Sequence, residues 1–182
     1  SSDVCSSDPG FIGTDRVKGV ACGDQVFDAD IVIVGIGIMP NTELAEAAGI
    51  ECGNGIVVDD HCQTSAEDVY AAGDCTFHPN AILGRSLRLE SVPNAMDQAR
   101  TAAANMTGGD KVYAAVPWFW SDQYELKLQM VGFSSDGDTQ VLRGDMDANQ
   151  FAVFYLKDNA VVAVDAVNSP REFMICKQLY GK

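Results

Sequence analysis

The sequence predicts a mixed fold that combines α/β with α+β structure and ends in a small antiparallel sheet with a helix. Three observations predict it. Residues 29–40 begin as a continuous β-branched run, which is typical of a strand buried on both faces of a parallel or mixed sheet. An Ala-rich segment that Pro93 opens predicts a helix to Met106. Beyond residue 113, short alternating segments precede a second Pro-initiated helix.

Composition bounds the class of protein. The chain has 182 residues, of which 47% are hydrophobic and 21% charged, as in an ordinary globular protein. The formal net charge is −14, so phosphate backbones and anionic membranes would be repelled. We therefore expect neither nucleic acid nor a membrane as a partner.

The cysteines and histidines show no metal-ligand spacing, so no metal site is predicted. With no apolar run of about 18 residues and no secretory signal, the chain is expected to be cytoplasmic, with free thiols. The six cysteines are Cys5, Cys22, Cys52, Cys62, Cys75 and Cys176.

The first part of the chain predicts short elements. Residues 1–8 have no apolar periodicity and are expected to be a foreign or truncated junction. Residues 16–21 and 26–28 predict a hairpin that turns at 22–25. Asn41 or Thr42 can cap a short helix that ends before Gly49, and residues 53–55 predict a turn.

Glycines interrupt the apolar run at Gly35 and Gly37. Pro40 follows Met39 where a pyrophosphate loop of the form G-x-G-x-x-G would need glycine, so this is not such a loop. The glycines still permit close approach of a ligand at the carboxyl end of a strand. A simple strand-to-helix turn explains them equally well.

The stretch from Thr64 to Asp74 predicts a turn, a short buried strand over Val69–Ala72, and an acid where that strand stops. A carboxylate beside Gly73 can accept hydrogen bonds from the hydroxyls of a sugar or polyol. The alternative is an ordinary buried strand followed by a turn acid. The residues alone leave the two readings about even.

Two later segments carry further candidates. The helix start at Pro93 offers unpaired N–H groups and a partial positive charge, which suit an anionic ligand edge. Period-2 spacing puts Trp118 and Trp120 on one face of a strand and Phe119 on the other. Taken alone, neighbouring indoles favour core packing.

Ser169 with Glu172 predicts a capping box that opens a helix to about Tyr180.

Three motifs occur in a fixed order: Ala71-Ala72-Gly73-Asp74, Glu90-Ser91-Val92-Pro93 and Pro117-Trp118-Phe119-Trp120-Ser121-Asp122-Gln123. Together they resemble the C-terminal part of the FAD-dependent NAD(P)H:ferredoxin reductases of oxygenase systems, of the putidaredoxin reductase and rubredoxin reductase type. These belong to the pyridine nucleotide-disulfide oxidoreductase superfamily. The resemblance implies the end of a two-dinucleotide-domain flavoprotein fold followed by a small C-terminal domain. It divides the chain into the end of an NAD(P)-binding domain (9–50), the C-terminal part of an FAD-binding domain (51–112) and a truncated reductase C-terminal domain (113–182).

The resemblance also implies roles for single residues. Asp74, beside Gly73, would bind the ribityl chain of FAD, and the backbone of Val92 would contact the isoalloxazine. Trp118 would lie against the flavin edge, with Trp120 second. Glu90 would face the nicotinamide end of NAD(P)H, although a solvated charge is its plain alternative. The remaining implied contacts, under the nicotinamide, are Gly35, Ile36 and Gly37. No protein side chain is expected to act as a catalytic acid, base or nucleophile.

The implied activity is hydride transfer from NAD(P)H to FAD, followed by single-electron transfer to a ferredoxin or rubredoxin. An apoptosis-inducing-factor-like or nitrite reductase-type flavoprotein is an alternative, as is a non-catalytic interaction module derived from a flavin domain. The C-terminal domain of a disulfide reductase would carry a catalytic histidine. No histidine lies beyond His78, so that class is disfavoured. Since no G-x-G-x-x-G is present, the 182-residue piece alone is expected to bind FAD weakly and to be inactive.

Overall fold

The computed structural model describes residues 10–180, which form two compact units divided between Met39 and Pro40. In the first unit, β1 (Gly10–Ile12), β2 (Gly19–Cys22) and β3 (Gln25–Asp28) form an antiparallel sheet in that order. The predicted hairpin is confirmed, since Cys22 pairs with Gln25 across the turn. The predicted junction at 1–8 lies outside the described residues.

The predicted buried strand that begins at Ala29 is wrong. Residues 31–39 form no strand, and the exposed fraction of the residue is 92% at Ile33 and 90% at Ile36. A strand buried on both faces needs a hydrogen-bonded neighbour and two covering layers. In the described part of this unit, the strands pair only with one another. An apolar run by itself cannot show whether that cover exists.

The second unit begins with helix α1 (Glu43–Ala47), where Thr42 is the N-cap and Gly49 follows with φ +75°, as the sequence predicted. A four-stranded sheet then takes the order β4-β5-β6-β7. Its strands β5 and β6 run parallel, which gives this unit its α/β character. The strands are β4 (Cys52–Gly53), β5 (Gly55–Val57), β6 (Thr76–Asn80) and β7 (Arg85–Leu87).

The short buried strand predicted over Val69–Ala72 is also wrong. That stretch contributes only an isolated bridge between Gln63 and Tyr70, and Val69 is 39% exposed. The paired strand starts later, at Thr76. Asp74 therefore lies in the turn before β6 rather than at the end of a strand.

Helix α2 (Val92–Met106) matches the predicted helix, and its N-cap is Ser91. The five buried residues of α2 include four polar ones that recur every three or four positions, so the face that packs on the fold is largely polar. They are Asn94, Gln98, Thr101 and Asn105.

The last part is an antiparallel five-stranded sheet in the order β10-β11-β12-β9-β8. Helix α3 (Pro170–Leu179) packs on it, and a core forms around Val131, Val164 and Phe173. This confirms the predicted antiparallel sheet with a helix. The strands are β8 (Trp118–Gln123), β9 (Leu126–Gly132), β10 (Thr139–Asp145), β11 (Gln150–Lys157) and β12 (Ala160–Val167).

Two smaller predictions need correction. Ser169 is the N-cap of α3 but its side chain makes no capping hydrogen bond, so the capping box does not form. Four thiols are free as predicted, at Cys52, Cys62, Cys75 and Cys176, whereas Cys22 is disulfide-bonded. Within residues 10–180, no helix is long and apolar enough to cross a membrane.

Candidate functional site

A cavity of about 180 Å³ lies between the start of α2 and strand β8. Glu90, Ser91 and Val92 line one side, and Phe119 and Trp120 line the other. One side thus carries an acidic residue and a helix N-terminus, and the other carries two aromatic residues of β8. Such a cavity suits a planar aromatic ligand with a polar edge.

The start of α2, beside this cavity, has a backbone donor without a partner in its own helix. The Oγ of Ser91 accepts a hydrogen bond from the N–H of Asn94 at 3.3 Å, and Pro93 has no N–H. The N–H of Val92, the first helical residue, has no acceptor within its own helix. Because this N–H sits at the positive end of the helix dipole, it favours an electron-rich or anionic ligand edge.

The turn that carries Gly73 and Asp74 is held against α2. The N–H of Gly73 donates to Oε1 of Gln98 at 2.7 Å, and the hydroxyl of Thr76 donates to the same oxygen at 2.9 Å. Gly73 is buried with φ +91°, and a Cβ there would lie 3.6 Å from Cβ of Ala95. The neighbouring Asp74 is exposed, so its carboxylate is open to a ligand.

Arg88 connects that turn to the cavity. Its Nη1 donates to Oε1 of Glu90 at 2.6 Å and to the carbonyl oxygen of Asp74 at 3.3 Å. Glu90 is a cavity residue, whereas Asp74 is not. The structure therefore brings Gly73, Asp74, Glu90 and Val92 into one connected region around the start of α2.

The two indoles take different places. Their rings lie 5.4 Å apart on one face of β8, as the period-2 spacing predicted. The ring of Trp118 packs 5.5 Å from the ring of Phe173. Nζ of Lys177 lies 3.7 Å from the centroid of the Trp118 ring. Trp120 is 43% exposed and lines the cavity. In this structure the ring that faces the cavity is that of Trp120, and Trp118 packs behind it against the core.

Gly35, Ile36 and Gly37 belong to the first unit and are exposed. Gly37 has φ +101°, a conformation that favours glycine. A Cβ added at Gly35 or Gly37 would meet no described atom within 4 Å. Close packing within the described residues therefore explains neither Gly35 nor Gly37. A positive φ explains Gly37 but not Gly35.

Sequence reasoning missed Gln98, Phe119 and the linking role of Arg88. A signal for Gln98 was present, because polar residues recur at helical spacing along α2 where apolar ones were expected to pack. The linking role of Arg88 has no local signal, since Asn54 and Asp74 lie 34 and 14 positions away in sequence and only Glu90 is a near neighbour.

Comparisons with known proteins establish the family of the chain. Residues 8–99 match the family model described as pyridine nucleotide-disulphide oxidoreductase. The chain belongs to this family. Residues 118–182 match a second model, described as reductase C-terminal. The predicted membership and the mixed fold class are confirmed.

Within the family, the chain is 48% identical to putidaredoxin reductase CamA of Pseudomonas putida, over 90% of its own length and 39% of that protein's. It is 48% identical to the ferredoxin–NAD(+) reductase component of the anthranilate 1,2-dioxygenase system of Burkholderia cepacia, over 83% of its own length and 37% of that protein's.

A solved structure, the covalent putidaredoxin reductase–putidaredoxin complex, superposes with a TM-score of 0.86 at 44% identity. The match covers 95% of this chain and 43% of that one. The chain thus spans about two-fifths of the length of the relatives it matches.

Proposed function

We propose that this chain is the C-terminal part of a flavoprotein oxidoreductase that passes electrons from NAD(P)H through FAD to a ferredoxin or rubredoxin. One observation carries the proposal: a single cavity is lined by Glu90, by Val92 at a helix start and by the aromatic residue Trp120. Two relatives whose names state reduction of putidaredoxin or of ferredoxin support the reaction class.

The described residues fit a flavin. FAD, when bound, would supply the chemistry of accepting a hydride and releasing electrons singly. The Val92 N–H would bind the edge of the isoalloxazine, and Asp74 would accept hydrogen bonds from the ribityl hydroxyls, with Gly73 allowing close approach. Trp120 would cover the ring and exclude water. Trp118 would then act from behind, by holding Trp120 in place.

Glu90 is proposed to meet the nicotinamide end of NAD(P)H. Its carboxylate lies at the cavity and is fixed by Arg88, so it can orient a polar group next to the ring. Gly35, Ile36 and Gly37 remain proposed contacts of the same cofactor, from the segment that closes the NAD(P)-binding domain. The domain divisions at residues 50 and 112 and a cytoplasmic location remain part of this proposal.

The test uses the protein expressed from its complete gene and incubated with FAD. We expect absorbance at the flavin bands that bleaches under anaerobic addition of NADH or NADPH. Ferredoxin, rubredoxin and cytochrome c then serve as acceptors, because a preference for an iron–sulfur or rubredoxin acceptor separates this function from an apoptosis-inducing-factor-like or nitrite reductase-type flavoprotein. Protein that takes up no flavin would support a non-catalytic interaction module instead.

Asp74→Asn tests the site itself. We expect this variant to bind FAD roughly tenfold more weakly. A hydrogen bond to a charged acceptor is stronger than one to a neutral acceptor by about 1.5 kcal/mol. Asp68→Asn is the matched control, since Asp68 is an exposed acid of the same stretch at φ +61°, which asparagine tolerates. Equal FAD affinity in the two variants would remove Asp74 from the site.

A further inference from the structure

Arg88 is nearly buried in a strongly acidic protein. Its side chain is 11% exposed, while its ion-pair partner Glu90 is 40% exposed. Besides the bonds to Glu90 and to the Asp74 carbonyl, its Nε donates to Oδ1 of Asn54 at 3.3 Å. One guanidinium thus holds three separate segments: the β4–β5 turn, the turn before β6 and the linker into α2.

The fold makes room for this side chain. Gly55 has φ +112°, and a Cβ there would lie 3.2 Å from Cδ of Arg88 and 2.6 Å from the carbonyl oxygen of Cys75. The stem of Arg88 therefore passes over a position where a side chain would collide. Arg88 is anchored from both ends, by its stem at Gly55 and by its donors at Asn54, Asp74 and Glu90.

The planar fork of arginine suits this position. Nε and Nη1 point to acceptors on different segments in a fixed relative geometry, whereas a lysine ammonium offers one mobile centre on a flexible stem. The pair with Glu90 is short, at 2.6 Å, as charge-assisted bonds are. Glu90 consequently cannot rotate freely at the cavity, and its charge is compensated there.

We propose that Arg88 is a positioning residue of the flavin site, one that fixes the Glu90 carboxylate and locks it to the Gly73–Asp74 turn. The inference rests on the function proposed above. Arg88 would tie the flavin-polyol side of the site to the nicotinamide side and cancel the charge of Glu90. Without Arg88, a full negative charge would stand beside a ring edge that becomes anionic on reduction.

This role predicts signs that a purely structural role does not. Arg88→Met leaves Glu90 uncompensated, so reduced flavin is disfavoured and the midpoint potential becomes more negative. Glu90→Gln removes the opposite charge and makes the potential more positive. The double variant Arg88→Met/Glu90→Gln restores neutrality, so its potential returns close to that of the wild type. Both single variants should raise the KM for NAD(P)H roughly tenfold, the loss of one charge-assisted bond.

The experiment uses the FAD-loaded protein expressed from its complete gene, with potentials measured by dye-coupled titration and NAD(P)H kinetics by anaerobic stopped flow. Arg85→Met is the matched control. Arg85 also holds a carboxylate, that of Asp136, through two bonds of 2.8 Å, but Asp136 does not line the cavity, whereas Glu90 does. We expect this control to keep the wild-type potential and KM.

Opposite shifts in the single variants and recovery in the double variant would support the proposal. Wild-type potential and KM in Arg88→Met, or equal shifts in Arg88→Met and Arg85→Met, would overturn it. If Arg88→Met does not fold, Arg88→Lys replaces it, because lysine keeps the charge but loses the fixed fork. We then expect a raised KM for NAD(P)H at a potential close to that of the wild type, and a wild-type KM would overturn the proposal. A wild-type protein that takes up no FAD would instead contradict the proposed function, so the two failures are distinguishable.

Discussion

At the scale of single residues, the two histidines illustrate how neighbours set a charge. His61 lies between two carboxylates, with Nδ1 2.8 Å from Asp60 and Nε2 2.9 Å from Asp110, and these hydrogen bonds raise its pKa. His78 is 1% exposed, and neither ring nitrogen has a hydrogen-bond partner among the described residues. Burial lowers the pKa of His78. The two histidines therefore make opposite contributions to the pH dependence of stability.

We predict that His61→Gln destabilises the protein at low pH and much less at high pH. The folded-state pKa of His61 is raised, so its contribution is fully present below the unfolded value of about 6.5 and is lost as pH rises through the folded value. Urea unfolding of wild type and variant at about pH 5.5 and about pH 8.5 checks this. A free-energy difference that grows with pH would contradict it.

The backbone conformation at Gly55 and the space around it favour glycine over any other residue. We predict that Gly55→Ala lowers the free energy of unfolding by about 1–3 kcal/mol, because φ is +112° and the new Cβ would lie 2.6 Å from the Cys75 carbonyl oxygen. Gly53→Ala, in the same hairpin, is the control. A Cβ there meets no described atom within 4 Å, so its effect should stay within about 0.5 kcal/mol.

At the scale of elements, two helices begin with the same Ser-and-Pro signal but are capped differently. The hydroxyl of Ser91 caps α2, whereas that of Ser169 makes no cap for α3. The carboxylate of Glu172, which a capping box would turn back to the helix start, lies 3.7 Å from Nε of Arg143 instead. Glu172 thus pairs with Arg143 of β10, and the capping box does not form.

This difference predicts unequal costs for the same change. We expect Ser91→Ala to lower the free energy of unfolding by about 0.5–1 kcal/mol, near the lower end for an N-cap because the bond is 3.3 Å long. Ser169→Ala removes no capping bond and should cost less. Chemical denaturation of both variants measures this, and a larger loss for Ser169→Ala would show that the hydroxyl of Ser169 has a role other than capping.

Helix α2 also shows why hydrophobic periodicity alone is an incomplete guide. Its buried face is held by polar bonds: the hydroxyl of Tyr113 donates to Oδ1 of Asn94 at 2.7 Å, and Nδ2 of Asn105 donates to the carbonyl oxygen of His61 at 2.9 Å. Burial raises the pKa of Tyr113, so this hydroxyl keeps its proton and remains a donor. The bond at Asn94 fixes the helix start that forms one wall of the candidate site, and the bond at Asn105 holds the opposite end of the helix.

At the scale of the whole molecule, the segment 31–39 is the main departure from the sequence prediction. It carries several strongly exposed apolar side chains, including Ile33 and Ile36, and it has no paired strand. Exposed, unpaired backbone is the preferred substrate of proteases. The same residues read as a doubly buried strand when the pattern is considered alone.

We predict that thermolysin cleaves the 182-residue chain first within 31–39 and much later within the five-stranded sheet. In the protein from the complete gene, this segment should be protected if the predicted strand finds its neighbours there. Mass spectrometry of timed digests measures both. First cleavage within β11 or β12 of the 182-residue chain would contradict the structure.

The sequence by itself determined the elements whose causes are local. Turn residues and alternation placed the hairpin within residues 16–28 and the antiparallel sheet beyond residue 113, and Pro93 placed the start of α2. Three short motifs in order were enough to indicate the family, which the family models confirm. A motif is defined by the order of residues along the chain, so recognising it needs no knowledge of tertiary contacts.

Only the tertiary structure decided which side chains meet. It put Trp120 rather than Trp118 at the cavity, moved Asp74 from a strand end into a turn, and joined Asn54, Asp74 and Glu90 through Arg88. It also left residues 31–39 uncovered. These outcomes depend on what packs against a residue from distant parts of the chain, and a local pattern of polarity contains no record of those neighbours.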